Sequence, residues 1–473
     1  MDFEPVIGLE VHVELNTKSK IFCSCSTNFG DAPNSNVCPV CCGMPGTLPV
    51  LNEEALLKAC LAGLALDGTI LPVTRFDRKQ YFYPDLPKGY QISQLDFPVM
   101  KNGKIIIETE NGPKVIRINR LHLEEDAGKL LHSENGSLVD LNRAGVPLIE
   151  IVSEPDLSSA KEAVKYLVEL RKIMKFAGVS DVNMEEGSLR CDANVSVRPV
   201  GSQKLGTRVE IKNMNSFRFA EKAIQYEIER QVKILKEGKK VLQETRLYDS
   251  QKDITVSMRS KEEAEDYRYF PEPDLLPFVF DEKLLKTLKE SLPVMPSKLK
   301  AKFIEDYSLP SYDAEILSSE PFFANLFEET AKKVKNPKTV SNWIMTEIMK
   351  FLNETKKDPN SLNFSSDYLA ELINSVEEGI INSNSAKEVL SESLKTGKSP
   401  LAVIKDRGIM QVSDENELSK LVDEVLLENP DLVDKYRSGK NTVFGALMGA
   451  VMKKSKGKAN PQLCNKILRE KLS

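Results

Sequence analysis

The fold of this chain is set by one stretch near its start, Leu9-Glu10-Val11-His12-Val13-Glu14-Leu15. Polar side chains alternate with apolar ones, and a period of two is typical of a β-strand with one apolar and one polar face. Glu10, His12 and Glu14 therefore share the polar face. Two carboxylates beside an imidazole indicate a site for a divalent cation such as Mg²⁺. An ordinary strand with a solvated polar face is the alternative interpretation.

A cluster of cysteines follows this strand. Two closely spaced pairs, Cys23 with Cys25 and Cys38 with Cys41, flank a turn-rich segment. This spacing predicts a tetrahedral Cys₄ zinc site, which would be structural because no coordination position stays open. Cys42 is an alternative to Cys41 as the fourth ligand. Two disulfides are the competing interpretation, but the chain starts Met-Asp-Phe-Glu-Pro without a secretion signal, so we predict reduced cysteines and a cytoplasmic location.

The composition is that of a globular protein. The chain has 473 residues, of which 41% are hydrophobic and 29% are charged, and this length predicts about two to four domains. No apolar run approaches the length that a membrane span needs, so we predict no membrane association. The net charge is −5, yet residues 433–473 contain ten basic and two acidic residues. A basic tail on an acidic body indicates binding to a phosphate backbone.

The first part of the chain mixes strand and helix patterns. Residues 190–198 alternate polar and apolar side chains, and residues 208–212 repeat the pattern. A sheet with one charged and one apolar face is antiparallel rather than doubly wound and parallel. We therefore predict an α+β fold with a large cradle-like domain at residues 1–293. Helices near residues 159–177 and 219–237 are expected to cover the apolar face of its sheet.

Two further domains are predicted beyond the first. Pro293 and Pro296 mark a boundary, and the strand pattern fades after them. Residues 294–398 are expected to form a helical domain. Residues 399–473 are expected to form a small all-α tail domain, which contains a capped helix near residues 417–427.

Other stretches of the first domain supply polar residues to the same sheet face. Residues 120–129 concentrate one imidazole and three carboxylates, and Glu150 follows a turn. Residues 78–91 interleave cations with aromatic rings, which suits stacking on an unpaired nucleotide and binding of its phosphate. A structural loop with buried tyrosines is an equal alternative. No P-loop or dinucleotide-binding glycine motif is present, so any bound ATP must be held by metal and scattered basic residues.

Several long motifs in this chain resemble the B subunit of tRNA-dependent amidotransferases. Besides the two cysteine pairs, they are Gly-Leu-Glu-Val-His-Val-Glu-Leu at residues 8–15, Tyr-Phe-Tyr-Pro-Asp-Leu-Pro-Lys-Gly-Tyr at 81–90, Leu-Glu-Glu-Asp-Ala at 123–127, Tyr-Phe-Pro-Glu-Pro-Asp at 269–274, Met-Gly-Ala-Val-Met-Lys at 448–453 and Gly-Lys-Ala-Asn-Pro at 457–461. The resemblance covers essentially the full length. It implies binding of tRNA mischarged with glutamate or aspartate, phosphorylation of the side-chain carboxylate by ATP, and displacement of the phosphate by ammonia.

The resemblance also implies partners and cofactors. Ammonia would come from glutamine hydrolysed by an amidase A subunit, and it would reach the B subunit through an internal channel. A small C subunit would hold the other two together in a heterotrimer. ATP, Mg²⁺ and a structural Zn²⁺ are the implied cofactors, and Glu-tRNA(Gln), Asp-tRNA(Asn) or both are the implied substrates.

The implied chemistry assigns candidate roles to residues of the first domain. Phosphoryl transfer depends more on metal and cationic stabilisation than on a covalent nucleophile. We expect the magnesium ion and the ATP phosphates to be bound by residues from Glu10, His12, Glu124, Glu125, Glu150, Asp192, Arg190 and Lys212. Glu10 and His12 are also expected to be catalytic, although histidine is an unusual ligand of Mg²⁺.

The ammonia channel and the tail supply the remaining candidates. Lys79, Lys88 and Glu125 are the polar residues expected at the exit of the channel, and they are included among the catalytic residues. The tail is expected to hold the tRNA body through Lys453, Lys454, Lys456 and Lys458.

Two other functions compete with this interpretation. The Lys-Lys-Ser-Lys run at residues 453–456 resembles the lysine-serine loop of one class of aminoacyl-tRNA synthetase, but three histidines do not supply the His-x-Gly-His motif of that class. A zinc-stabilised tRNA-binding scaffold would explain the cysteines and the basic tail, but not the glutamates and histidine of the polar face. ATP hydrolysis stimulated by mischarged tRNA distinguishes the enzyme from the scaffold.

Overall fold

The computed structural model describes residues 2–133, 136–260, 266–409, 415–455 and 459–472. The chain divides into two compact units, Met1–Pro296 and Ser297–Ser473. The first unit mixes strands and helices, and the second is helical throughout its described residues. The predicted α+β fold class is therefore confirmed, whereas the division into three domains with boundaries at residues 294 and 399 stays a prediction.

The first unit is built on a large twisted sheet. Its strands are Phe3–Glu14 (β1), Thr69–Ile70 (β2), Val73–Thr74 (β3), Asp77–Gln80 (β4), Tyr90–Ser93 (β5), Met100–Thr109 (β6), Gly112–Glu125 (β7), Lys129–Ser133 (β8), Gly136–Asp140 (β9), Pro147–Ser153 (β10), Leu189–Pro199 (β11), Val209–Lys212 (β12), Glu244–Asp249 (β13), Ile254–Ser260 (β14), Phe270–Pro271 (β15) and Phe278–Val279 (β16). Within the described residues, the main sheet is nine-stranded with the order β14-β13-β12-β11-β1-β10-β7-β6-β2. Its described strand pairs are antiparallel except β12 with β13, which is parallel. The predicted antiparallel sheet is thus confirmed, with one parallel pair near its edge.

Helices pack on the apolar face of this sheet. Glu53–Ala65 (α1), Ala160–Phe176 (α2) and Phe217–Lys236 (α3) contact its strands, and Glu282–Ser291 (α4) packs against α1. The side chains of Ser159 and Ser216 cap α2 and α3, as polar residues do at helix starts. Both helices agree with the prediction, although α3 begins two residues earlier. α1 was not predicted, because a helix that is apolar on most sides shows little periodicity.

The second unit contains shorter helices. They are Pro296–Tyr307 (α5), Ser311–Leu317 (α6), Pro321–Ala331 (α7), Pro337–Trp343 (α8), Met349–Thr355 (α9), Ser366–Glu377 (α10), Ser383–Thr396 (α11), Pro400–Arg407 (α12), Glu415–Glu428 (α13), Pro430–Arg437 (α14), Phe444–Lys454 (α15) and Pro461–Leu472 (α16), with a π-helical turn at Ile344–Ile348 and 3₁₀ turns at Pro359–Ser361 and Asn441–Val443. α12 packs against α10 and α11. Leu418, Val451 and Leu468 form part of a separate core between α13, α15 and α16. The helix predicted near residues 417–427 is confirmed as α13. Among the described helices, none combines the length and the apolarity needed to cross a membrane.

The register of the central strands positions the polar side chains. β1 lies between β10 and β11. His12 of β1 is opposite Glu150 of β10 and opposite Arg190 of β11, and Glu150 is opposite His122 of β7. Opposed side chains on one face of a sheet lie about 5 Å apart. Strand pairing therefore places these four residues in one row across the polar face.

Candidate active site and cysteine cluster

Three side chains of the types that bind metals converge on the polar face. One donor atom from each of His12, Glu124 and Glu150 lies within 4.8 Å of the other two. The Nε2 atom of His12 is 3.3 Å from the Oε2 atom of Glu150. Glu124 is buried, and its carboxylate accepts a hydrogen bond of 2.8 Å from the Ser93 hydroxyl. Two carboxylates and an imidazole in this arrangement fit a divalent cation.

A second histidine, His122, adjoins this group and was not among the predicted site residues. Its Nε2 atom lies 3.3 Å from Glu124 Oε2 and 3.7 Å from Glu150 Oε2. The ring is buried, and its Nδ1 atom has no hydrogen-bond partner among the residues that the structure describes. The alternation along residues 120–124 contained a signal for it, because His122 and Glu124 share one face of their strand.

The charges of this group stabilise one another. Burial opposes ionisation of Glu150, but the charges of His122 and His12 outweigh it and hold the pKa of Glu150 below its usual range. Burial also opposes the charged form of His12, but the hydrogen bond to Glu150 and the charges of Glu150, Asp192 and Glu124 together outweigh it, so the pKa of His12 is raised. Glu150 is therefore ionised at neutral pH, as a cation ligand must be.

The group of His12, Glu124 and Glu150 is here called the convergent group. Glu10 and Asp192 flank it and lie opposite each other on neighbouring strands. The carboxylate of Glu10 accepts a hydrogen bond of 2.8 Å from the Asn194 amide. Burial, and after it the charge of Glu150, raises the pKa of Glu10. The carboxylate of Asp192 pairs with Lys212. Neither acid belongs to the three-residue group, so their expected contact with metal or phosphate stays a prediction.

The side chains of Glu124 and Glu125 have different partners. Both carboxylate oxygens of Glu125 lie against the Lys88 ammonium, and one of them accepts a hydrogen bond of 2.8 Å from the backbone N–H of Ile92. Glu125 is buried. Its side chain thus forms an ion pair with Lys88 and is not part of the group around His12. Glu124 belongs to the three-residue group and Glu125 does not, so that metal binding by Glu124 and by Glu125 both stay predictions, of which the geometry favours Glu124.

Arg190 and Lys212 were expected to bind ATP phosphates, but both already have carboxylate partners. Arg190 forms an ion pair with buried Asp126. Lys212 pairs with Asp192 and lies 3.1 Å from Glu210. The structure does not place these cations in the three-residue group, and phosphate binding by them stays a prediction.

Lys79 lies among aromatic rings beside the convergent group. Its ammonium is 5.0 Å from the centre of the Tyr267 ring. Burial opposes its charged form, but the charge of Glu124 and further negative groups outweigh burial, so the pKa of Lys79 is raised. Lys79 therefore carries a positive charge next to the carboxylates.

The aromatic stretch at residues 81–83 contains both packed and exposed rings. The Tyr81 ring packs edge-on against Tyr267, with 6.2 Å between centroids. Phe82 is 78% exposed and Tyr83 is 54% exposed. The two interpretations of this stretch thus apply to different rings: Tyr81 is structural, whereas Phe82 and Tyr83 are available for stacking.

The four predicted cysteines form one cluster. The sulfur atoms of Cys23, Cys25, Cys38 and Cys41 all lie within 4.8 Å of one another. Cys42 does not belong to this group. Every one of the 8 cysteines lies in the described ranges and is a free thiol, so the disulfide interpretation is not supported.

The surroundings of the cluster favour the thiolate of Cys41, whereas the hydrogen bond to Cys41 raises the pKa of Cys23 and burial raises that of Cys25. A hydrogen bond from the Cys23 thiol lowers the pKa of Cys41 to about 4, and the thiolate is the form that binds zinc. Lys20, which sequence reasoning missed, is buried with its ammonium 3.7 Å from the Cys41 sulfur. It also donates a hydrogen bond of 3.1 Å to the Leu141 carbonyl. A buried cation offsets the negative charge of four thiolates, so the donor set and its surroundings fit a structural zinc ion.

The described tail lysines differ in their surroundings. Lys453 is exposed. Lys454 lies 2.8 Å from Glu424 and 2.6 Å from Glu428. Lys456 and Lys458 lie outside the described residues. The expectation of phosphate binding therefore applies to Lys453 more directly than to Lys454, whose charge is balanced by two carboxylates.

Comparison with known protein families identifies the class to which the fold and the site belong. Residues 5–286 match the family described as the GatB/GatE catalytic domain. Residues 325–472 match the family described as the GatB domain. The first match contains the convergent group and the cysteine cluster, and the second contains the tail.

Individual relatives match over the whole chain. The B subunit of the aspartyl/glutamyl-tRNA(Asn/Gln) amidotransferase of Caldanaerobacter subterraneus is 54% identical over 474 residues, which cover 100% of both chains. The protein of the same name from Thermodesulfovibrio yellowstonii is 53% identical over 99% of both chains. That from Myxococcus xanthus is 52% identical over 100% of this chain and 99% of its own. The chain therefore belongs to the GatB family of amidotransferase B subunits, and the resemblance seen in its motifs is confirmed.

Proposed function

We propose that this chain is the subunit that amidates Glu-tRNA(Gln), Asp-tRNA(Asn) or both, with ATP and ammonia as cosubstrates. The observation that supports this most is the group of His12, Glu124 and Glu150 on the polar sheet face. A scaffold that only binds tRNA has no need for two buried or half-buried carboxylates that share charge with imidazoles. The relatives are named as subunits of an aminoacyl-tRNA amidotransferase, which agrees with this chemistry.

The first step makes the side-chain carboxylate reactive. A carboxylate oxygen of the aminoacyl group attacks the γ-phosphorus of ATP, and ADP leaves. His12, Glu124 and Glu150 would hold Mg²⁺, which supplies charge stabilisation to the phosphates. Lys79, which stays positively charged beside Glu124, complements the negative charge of the transferring phosphoryl group.

A cavity beside Glu10 is suited to the rest of the nucleotide. Its volume is 220 Å³, and its lining includes Gly8, Ser153, Asn194 and Arg208. Glu10 lies two residues before His12 on the same face of β1. A nucleoside bound in this cavity would therefore direct its phosphates towards the convergent group.

The second step forms the amide. The ammonia nitrogen attacks the acyl carbon, the bond from that carbon to the phosphate oxygen breaks, and the nitrogen loses a proton. Ammonia is a nucleophile only while it is unprotonated, so its path must be shielded from bulk water. Lys88 and Glu125 form a pair in which both side chains are at most 11% exposed, and we place them on this path.

The proposed reaction requires partners. We infer an amidase A subunit as the source of ammonia and a small C subunit, which together with this chain form a cytoplasmic heterotrimer. The acceptor end of the tRNA would bind near the convergent group, where Phe82 and Tyr83 expose their rings. The basic tail would hold the tRNA body.

An amidation assay tests this function. The heterotrimer is incubated with Glu-tRNA(Gln) or Asp-tRNA(Asn), ATP and ammonium chloride, so that glutamine hydrolysis is not required. We expect glutamine or asparagine to appear on the tRNA only when ATP is present. Absence of product from both tRNAs would contradict the proposal. Binding of tRNA with no stimulation of ATP hydrolysis would favour the scaffold instead.

Two adjacent lysines of the tail, Lys453 and Lys454, are expected to contribute differently to tRNA binding. Replacing Lys453 by alanine should weaken tRNA binding and lower the slope of log Kd against log salt by about one, because one phosphate contact is lost. Replacing Lys454 should change the slope less, since Glu424 and Glu428 already neutralise it. Filter binding at several salt concentrations measures both slopes. Equal slopes for both variants and the parent would show that this part of the tail does not contact tRNA.

A further inference from the structure

The turn that ends the cysteine cluster lies close to Lys88. This turn, residues 38–44, is here called the knuckle. Gly43 of the knuckle has φ +65°, and a Cβ atom added there would lie 2.5 Å from Lys88 Cγ and 3.0 Å from Lys88 Cα. Real Cβ atoms do not approach other atoms so closely. A side chain at position 43 would therefore displace Lys88, and Lys88 keeps its place only because residue 43 is glycine.

The conformation of the knuckle depends on two of the clustered cysteines. The backbone N–H of Cys42 donates a hydrogen bond of 3.0 Å to the Cys38 carbonyl, and that of Gly43 donates one of 3.0 Å to the Val40 carbonyl. The N–H of Cys38 also donates to the Cys41 sulfur at 3.1 Å. A metal ion bound by Cys38 and Cys41 would fix the part of the turn that leads into Gly43, and it would thereby hold Gly43 against Lys88.

On its other side, Lys88 is held by Glu125. The Lys88 ammonium contacts both oxygens of that carboxylate, and it lies 5.6 Å from the centre of the Tyr90 ring. The knuckle, Lys88, Tyr90 and Glu125 line one cavity of 260 Å³. Contacts are thus continuous from the cysteine cluster to Glu125, the residue next to Glu124 of the convergent group.

We propose that the knuckle positions the Lys88–Glu125 pair, and that metal bound by the four cysteines sets the geometry of this pair through the contact of Gly43 with Lys88. This inference rests on the proposed function, which places Lys88 and Glu125 on the path of ammonia. Gly43 is a positioning residue in this scheme, since it acts through Lys88. Disturbing the knuckle then impairs amide formation and leaves phosphorylation of the carboxylate intact.

A matched pair of glycine variants tests the proposal. Gly43→Ala adds a methyl group that collides with Lys88. Gly46→Ala is the control, because Gly46 has φ +85° in the same region but nothing lies within 4 Å of an added Cβ. Both variants therefore carry similar backbone strain, and only one of them displaces Lys88.

The first readout separates the two chemical steps in the heterotrimer. We expect Gly43→Ala to lower kcat for ammonium-dependent amidation by up to about 100-fold, the cost of a small misplacement. ATP hydrolysis stimulated by mischarged tRNA should stay at the parent rate. Gly46→Ala should keep both rates. In a Lys88→Met background, Gly43→Ala should cause no additional loss, because the ammonium group that it displaces is gone.

The second readout does not depend on activity. Acylation of Lys88 by acetic anhydride, measured by mass spectrometry relative to exposed Lys101, reports how well the Lys88 amine is protected. We expect faster acylation of Lys88 in Gly43→Ala and in zinc-stripped parent protein, but not in Gly46→Ala. Zinc content is measured in each sample.

The outcomes that overturn the proposal are distinct. Equal amidation and equal Lys88 acylation in the two glycine variants would show that the contact has no influence. Equal loss of amidation and ATP hydrolysis in Gly43→Ala would indicate general damage. Should Gly43→Ala fail to fold, unchanged Lys88 acylation after zinc removal from the parent would overturn the proposal by itself. A parent heterotrimer without amidation would instead contradict the proposed function.

Discussion

Replacing His12 by alanine is expected to lower ATP hydrolysis stimulated by mischarged tRNA on the order of 10³-fold, because several kcal/mol of charge stabilisation is lost with one metal ligand. The Nε2 atom of His12 is 3.3 Å from Glu150, and Glu150 in turn lies next to His122. Removal of the imidazole therefore disturbs the whole group. The Kd for tRNA should stay at the parent value, since the tail is proposed to supply most of the phosphate contacts of the tRNA. Phosphate release and filter binding measure the two quantities.

The control for this prediction lies on the same strand. Glu4 shares the polar face of β1 with His12 but pairs with Arg198 at 2.7 Å, away from the convergent group. Glu4→Gln should therefore leave ATP hydrolysis unchanged. A comparable loss of tRNA binding in His12→Ala would assign His12 to the structure of the sheet instead of the reaction.

Replacing Cys38 by serine is expected to release about one zinc ion per chain. It should also lower the free energy of unfolding of the first unit by several kcal/mol, and with it the Tm, because the binding energy of a structural zinc is also folding energy. Cys38 is one of four clustered sulfurs, and three remaining sulfurs do not complete a tetrahedral site. Elemental analysis gives the zinc content, and calorimetry gives the change in Tm.

Cys42 provides the matched control. It neighbours Cys41 in sequence but does not belong to the clustered group. Cys42→Ser should therefore retain zinc and the parent Tm. Release of zinc by Cys42→Ser but not by Cys38→Ser would contradict the ligand set, and a parent protein without zinc would contradict the metal site itself.

The elements that the sequence predicted correctly are those with a local pattern. Alternation around His12 indicated a strand with one polar face, and the 3.6-residue period indicated α2 and α3. The spacing of Cys23, Cys25, Cys38 and Cys41 indicated a cluster that the structure contains. In each case residues close in sequence carry the information, because strand alternation, helix periodicity and knuckle spacing are all local properties.

Which side chains join the group around His12 could not be predicted from the sequence, because it depends on contacts between residues far apart in the chain. Glu10, Glu125 and Asp192 are acidic like Glu124 and Glu150, but each has a different partner: Asn194 for Glu10, Lys88 for Glu125 and Lys212 for Asp192. His122 joins the group because β7 pairs with β10 in one register. A shift of a single residue would turn these side chains to the other face.

The sequence by itself thus determined the family, the strand that carries His12, and the four clustered cysteines. Only the tertiary structure decided that Glu124 and not Glu125 faces His12, that Lys20 lies beside Cys41, and that Gly43 touches Lys88. The physical reason is that strand register and loop packing follow from burial and close contact between distant segments, which a local pattern of residues does not encode.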